Sequence, residues 1–462
     1  MRFSNMVSQI GKVLNNNSET PVDLSYLTTM AGHIELWSAM YEGKSPWLKK
    51  GDESCNLPAS IAQEIARLVT LELKSECTGS ERADYIEPYY AKALENLKKY
   101  VEYGCAKGSL VFKPYTTTNG LAVQYIQADC FFPVSFDDSG NITDCIFTEQ
   151  FRKNKKIYTR LERDIIEDDT LTIENMAFVS SNPEILGTQV EITAVDKWKM
   201  LENEVKFKNV SKLPFGFFKV PLANTVDSAS PIGVSVYSKA IDSIRLADER
   251  YSQIDWEFVS KEAAVHIAES LLKYDKEADR YEYPGGKNRL YRTLEYSSGA
   301  TDKPLMDTYS PDIRDQSLYN GFNNQLKRVE FDCNLAYGTL SDPNNVDKTA
   351  EEIKTSKQRS YSMVSDTQLA LQNALKDLID AMDFWVSIYG LAPEGDINTS
   401  FEWDDSIVVD SEKARSTDRA DVAMGAMTLV EYRMKWYGET EEVAMQKLAG
   451  QQEDGETSGD DE

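Results

Sequence analysis

Histidine is nearly absent from this 462-residue chain, which has only His33 and His266. The six cysteines, Cys55, Cys77, Cys105, Cys130, Cys145 and Cys333, are scattered, and no two form a CxxC pair. A structural zinc site needs about four Cys or His ligands at short spacing, so this composition excludes one. No apolar run approaches the roughly 18 residues of a membrane span, and the N-terminus lacks the layout of a secretion signal. The cysteines therefore read as buried thiols in a reducing compartment. Neither GxxxxGK[ST] nor GxSxG occurs, which removes the phosphate-cradling loop of ATPases and the nucleophile elbow of hydrolases. Basic residues are also short: 50 Lys and Arg stand against 76 Asp and Glu, a net charge of −26. Such a surface repels nucleic acid over most of its area. Solubility alone accounts for the charge; keeping an anionic polymer from sticking is the sharper reading.

What is present supports two to four domains or one extended multi-part subunit. Phe3, Met6, Val7, Ile10, Val13 and Leu14 recur at helical spacing and predict a short amphipathic helix packed on the body of the protein. Residues 24–100 read as mainly helical, with helices at 34–41 (stopped by Gly43), 60–73 and 91–101. Residues 108–220 alternate apolar and polar positions between recurring turns, which predicts an antiparallel meander. A long helix follows over 234–272, with Tyr237, Ile241, Ile244, Tyr251, Ile254 and Phe258 on one face. Residues 273–310 form a compact insertion, in which 281–283 and 290–294 flank Pro284-Gly285-Gly286 as a hairpin. Ser310 as N-cap and Pro311 at the first position then predict a second helix with the stripe Tyr319, Phe322, Leu326, Val329 and Cys333. Thr349 to Glu352 is a capping box that opens a helix running to about residue 389. Strands are expected at 401–403 and 407–409, a second capping box at Thr428 to Glu431, short helices to residues 438 and 448, and an acidic disordered tail at 451–462.

Candidate chemistry is thin. The carboxylate pairs Asp137/Asp138, Asp168/Asp169 and Asp404/Asp405 sit in expected turns, where Asp is favoured for local hydrogen bonding. His266 lies beside Glu262 and Glu269, a solvated setting, and His33 lies near Glu35. The densest basic cluster, residues 152–156, reads as a hairpin turn, with a local phosphate contact as the alternative. The most informative stretch is 337–352, a short Gly-, Ser-, Pro- and Asn-bearing loop between two long helical patterns. It has no nucleophile–base pair and no metal cluster, which points to mechanics rather than catalysis.

The order of these segments resembles the portal proteins of tailed bacteriophages, in particular those of long-tailed phages of Gram-positive bacteria. The resemblance runs over nearly the whole chain up to the acidic tail. It rests on Trp37, Tyr41, Gly43 and Trp47, on the helix over 56–73, and on the Asp-Ser-Gly turn and Ile146-Phe147 within 133–147. It rests further on Pro231-Ile232-Gly233-Val234-Ser235 with Asp248 and Tyr251, and on Lys348-Thr349-Ala350-Glu351-Glu352-Ile353. The resemblance implies an α+β, elongated subunit, with no enzymatic activity and no cofactor, in a ring of typically twelve copies. Residues 1–230 and 350–401 would form the wing, 231–272 and 311–336 the two stem helices, 273–310 the clip, 337–349 the tunnel loop, and 402–450 the crown. It implies Ser341, Asn344, Asn345 and Lys348 as the DNA-facing loop residues. Implied partners are double-stranded DNA without sequence specificity, the terminase packaging motor, head-completion or adaptor proteins, the major capsid protein and a scaffold protein, with no membrane. The implied location is the capsid portal vertex of the virion, and the host cytoplasm during assembly. The alternatives are another ring-forming virion connector and a carboxylate-dependent hydrolase.

Overall fold

The computed structural model describes residues 2–17, 24–49, 51–71, 73–268, 272–275, 280–282, 291–294, 306–342, 350–403, 411–441 and 443–448. The chain divides into two units, Met1–Leu71 with Glu76–Thr399, and Glu72–Ser75 with Ser400–Glu462. The fold is mixed, with helices and sheets whose strands pair mostly antiparallel.

The first unit begins with α1 (Phe3–Asn17), α2 (Ser25–Tyr41) and α3 (Leu57–Thr70). On α1, Phe3, Met6, Val7, Ile10 and Leu14 are all buried, as the helical spacing requires. Strand β1 (Leu73–Thr78) follows, then α4 (Glu81–Leu94) and α5 (Leu97–Lys107). The helix expected over 91–101 straddles the end of α4 and the start of α5; Ser80 starts α4 by accepting the Ala83 N–H. Gly108, at φ 96°, closes α5 in the left-handed region that glycine tolerates.

The meander is present. Strands β2 (Ser109–Thr117) and β3 (Gly120–Gln127) are followed by β4 (Phe131–Phe136), β5 (Ile142–Lys153), β6 (Lys156–Glu167), β7 (Thr170–Ser180), β8 (Thr188–Val190), β9 (Glu204–Lys208) and β10 (Gly216–Lys219). One sheet has the order β4-β5-β6-β7-β8, with β9 also on β7; the other is β10-β2-β3. Asn154 and Lys155, at φ 50° and 62°, make the tight turn between β5 and β6, and Asp168 and Asp169 do the same between β6 and β7. Phe112, Phe132 and Phe218 are fully buried, each contributing about 2–3 kcal/mol of hydrophobic stabilisation.

The next helix differs from expectation at both ends. Helix α6 spans Ile241–Ser260, not 234–272. On its N-terminal side, the Val236 N–H donates to the Cys105 carbonyl at 3.0 Å, so tertiary pairing takes the backbone away from helix. On its C-terminal side, Val265 and Ile267 suit a strand, and β11 (Ala264–Ala268) forms there. His266 is therefore on a strand, opposite Arg292 and Asp307, rather than on a helix. The insertion adds β12 (Lys273–Asp275), β13 (Arg280–Glu282), β14 (Tyr291–Leu294) and β15 (Met306–Tyr309). The expected hairpin between the runs at 281–283 and 290–294 does not form: β13 pairs with β12, and β14 pairs in parallel with β11. Its turn at 284–288 lies outside the described residues.

Helix α7 (Asp315–Asp332) starts four residues after Pro311. The expected Ser310 cap is not used, because the Arg314 backbone N–H donates to Glu257, as does its guanidinium, holding residue 314 outside the helix. Helix α8 (Ala350–Tyr389) has 40 residues; its expected cap, Thr349, lies outside the described residues. Leu371, Leu375, Leu378 and Met382 are buried along it. Gly216 makes the close approach between α8 and β10 possible, since a Cβ there would sit 2.1 Å from the Ala374 carbonyl oxygen. Strand β16 (Asn398–Trp403) ends this part of the chain; the expected strand at 407–409 lies outside the described residues.

The second unit holds α9 (Ser411–Ala423), which sequence patterning misses, and α10 (Leu429–Tyr437). Thr428 and Glu431 form the expected capping box, and Gly438 ends α10 at φ 63°. The Tyr432 hydroxyl accepts from the Nε of both Arg415 and Arg419. Residues 451–462 lie outside the described residues.

Candidate functional site

Helices α6 and α7 form an antiparallel pair tied along its length. At one end, the Ser243 hydroxyl donates to Asp332 at 2.6 Å and the Gln325 amide to the Ser243 carbonyl at 2.9 Å. In the middle, Arg250 donates to the Gly321 carbonyl. At the far end, Glu257 accepts both arms of Arg314, at 3.1 and 2.9 Å, and pairs with Lys261 at 2.7 Å. The hydrogen bonds from Arg314 and then Lys261 hold the Glu257 carboxyl well below its ordinary range. Strand β11 leaves from this end.

The opposite end of the pair carries the loop. Helix α7 stops at Asp332, Asn334 takes a left-handed conformation at φ 58°, and the Leu335 N–H returns to the Glu330 carbonyl at 2.8 Å. Glu330 is fully buried, and among the described residues no Lys or Arg pairs with it. Its Oε1 accepts from the backbone N–H of Gly338, Leu340 and Ser341, at 3.1, 2.6 and 2.8 Å. Its Oε2 accepts the Ser341 hydroxyl at 2.9 Å. Converging N–H groups of this kind form an anion-binding concavity that compensates a buried carboxylate. Two turns further back, the side-chain amide oxygen Oδ1 of Asn323 accepts the Asp342 N–H at 2.8 Å. Gly338, at φ 88°, supplies the turn. Burial also pushes the nearby Cys333 thiol well above its ordinary range.

Helix α8 reaches back to the same place. The Arg359 guanidinium lies over the Phe331 ring at 4.6 Å and the Tyr337 ring at 5.6 Å. Its Nε and Nη2 are buried without a hydrogen-bond partner, so ring faces provide its contact.

Of the four residues expected to face DNA, Ser341 is 4% exposed and turned onto Glu330. Asn344, Asn345 and Lys348 lie outside the described residues. Sequence reasoning missed Glu330 and Asn323. A signal existed, because they fall at positions of the stripe that holds Leu326, Val329 and Cys333, and polar residues on an apolar stripe require buried partners.

Several carboxylates elsewhere are occupied by structure. Asp137 accepts from the Ser139 and Asn141 N–H groups and the Asn141 side chain within its own turn. Open depressions of about 600 and 470 Å³ share Glu42, Asp129, Cys130 and Thr148, but Glu42 pairs with Lys44 and Asp129 with Lys107. Glu35, beside the larger one, accepts the Ser4 N–H and hydroxyl. Among the described residues, no group of three or more His, Cys, Asp or Glu could hold a metal ion, and no helix is long and apolar enough to cross a membrane.

A loop set between two long helices, its first residues held by a buried carboxylate of α7, is the construction of a mechanical subunit. The family model described as "Phage portal protein, SPP1 Gp6-like" matches residues 90–456, and the chain belongs to that family. It is a structural component of the phage portal vertex, not an enzyme. No curated protein matches the chain. Among solved structures, a chain of the "Neck of native GTA particle computed with C12 symmetry" is similar at 10% identity and a TM-score of 0.43. That match covers 86% of this chain and 91% of the other.

Proposed function

We propose that this portal protein forms a ring, of twelve copies by its resemblance to known portals, through which double-stranded DNA enters the capsid and later leaves. Helices α6 and α7 act as the stem, residues 273–310 as the clip that meets the terminase motor and then the head-completion proteins, and 337–349 as the tunnel loop. Residues 1–230 and 350–401 make the wing, and 402–450 the crown, within reach of capsid and scaffold protein. The observation that carries this reading is the tied α6–α7 pair, which leads to β11 at one end and directly into the loop at the other.

The mechanism is mechanical. A wall that passes DNA must avoid holding phosphates, since each Lys or Arg contact adds sequence-independent affinity. A net charge of −26 per copy suits sliding. Weak polar contacts from Asn344, Asn345 and Lys348 then touch the DNA and let go. Ser341, buried at the base, anchors the loop instead of touching DNA.

Shortening the loop by deletion within residues 341–346 tests the reading. Rings of normal mass should form while DNA packaging falls sharply. Normal filling of capsids by such a variant would overturn the channel-loop assignment.

A further inference from the structure

We propose that Glu330 is a positioning residue for the tunnel loop: it welds residues 338–342 onto α7 as a rigid pedestal, so the span able to approach DNA starts only after Asp342. This rests on the channel reading above and deepens it.

The geometry supports a weld rather than an incidental contact. A single buried carboxylate takes four donors from three residues within a four-residue stretch. Hydrogen bonds to an ionised acceptor are about twice as strong as neutral ones. Without Glu330 the Leu340 and Ser341 N–H groups lose their acceptor and Gly338 keeps only the Ser341 hydroxyl at 3.3 Å, so the stretch cannot leave α7 one bond at a time at low cost. Asn323 extends the weld by one residue, to Asp342. Arg359 holds α8 to the same pedestal through Phe331, on α7, and Tyr337, in the loop. The two limbs are thus held differently. The α7 limb is fixed by directed hydrogen bonds, and the Arg359 guanidinium of α8 meets it through ring faces, where the attraction is to a face rather than to a point.

Ser341 is thereby assigned as an anchor acting through Glu330. In Glu330→Gln, the three N–H groups keep only a neutral amide oxygen, whose hydrogen bonds are about half as strong as those to a carboxylate, and Nε2 cannot receive the Ser341 hydroxyl proton. The experiment uses full-length rings of the wild type, Glu330→Gln, Ser341→Ala and the double variant. It reads ring mass, hydrogen exchange at the amides of residues 338, 340 and 341, and the amount of DNA packaged. Rings should form in all four. Exchange at those amides should speed up at least tenfold in Glu330→Gln, with the α6 and α7 interior amides unchanged. The packaging defect of the double variant should equal that of Glu330→Gln alone, because both lesions act on one contact. Asn323→Ala, a milder lesion, should raise exchange only at residue 342 and keeps the test open if Glu330→Gln rings are poorly formed. Unchanged exchange in Glu330→Gln, or packaging losses that multiply in the double variant, would overturn the proposal. Multiplying losses would mark Ser341 as touching DNA independently. If the shortened-loop variant packages normally, the channel reading fails instead, whatever the exchange data show.

Discussion

Glu330 and Ser341 lie eleven residues apart, on opposite sides of a helix end, and meet through both carboxylate oxygens: one accepts the Ser341 N–H at 2.8 Å, the other its hydroxyl at 2.9 Å. The contact turns the C-terminus of α7 into a platform, and it fixes where the following loop begins.

Removing that carboxylate altogether should cost stability as well as loop order. Glu330→Ala leaves the Leu340 and Ser341 N–H groups without their acceptor and Gly338 with only the Ser341 hydroxyl, and each buried orphan costs about 1–3 kcal/mol. A loss of at least about 2 kcal/mol is expected in denaturant unfolding, with a smaller loss for Ser341→Ala, which removes one hydroxyl donor.

Two glycine substitutions should have opposite outcomes. Gly216→Ala forces a Cβ to within 2.1 Å of the Ala374 carbonyl, which drives β10 off α8 and should cost about 1–3 kcal/mol or more. Gly321→Ala places its methyl in open space inside α7 and should be neutral or stabilising by up to about 1 kcal/mol. Thermal melts of the two variants against the wild type check this.

Acid pH should act on the β2–β5–β6 region through Asp164. This carboxyl is fully buried beside Lys113, which also binds Glu162, with Arg160 and Cys145 close by. Burial pushes it from 3.8 up to about 6, against the pull of Lys113. The folded chain therefore holds this proton more tightly than the unfolded chain, so the contribution of Asp164 to stability falls as pH rises from about 4 to about 6. Asp164→Asn removes that dependence. The stability difference between wild type and variant should shift against the wild type across this window, by about 1–3 kcal/mol in urea titrations.

At the far end of the α6–α7 pair, Arg314→Ala should loosen the junction to the strands without unfolding the helices. Glu257 loses two side-chain hydrogen bonds and retains Lys261. Faster hydrogen exchange is expected at residues 257–268 and 306–315, with α7 beyond its first turn unchanged.

In the second unit, Thr428→Ala removes the side-chain cap on the Glu431 N–H and the hydroxyl donor to the Glu431 carboxylate, which keeps the Thr428 backbone N–H. A cost of about 1 kcal/mol is expected, read as lost exchange protection in the first turn of α10, and Thr428→Ser should restore it.

Regular elements with local causes were legible in the sequence. The spacing of Phe3 to Leu14 gave α1, alternation gave the meander from β4 to β7, and Thr428 with Glu431 marked the start of α10. Where the reading failed, a distant partner had overridden a local preference. Ser310-Pro311 is a sound helix start by local rules, yet Glu257 holds Arg314 out of the helix from across the pair. The run at 290–294 reads as half of a hairpin, yet β14 takes β11 as its partner. His266 sits in a plausible extension of α6, yet two strands capture it. Ser341 looked like an exposed loop hydroxyl because nothing local reveals that Glu330 turns back towards it.

By itself the sequence determined the class of this protein: an acidic, histidine-poor chain with no phosphate loop or metal ligand pattern, in which two helices flank a small insertion and a polar loop follows. Those properties depend on composition and on periodicity over a few turns, which neighbouring residues set. Only the tertiary structure decided where the helices end, which strands pair, and which side chains hold the loop. Each of those depends on satisfying buried polar groups across distances that no local pattern encodes.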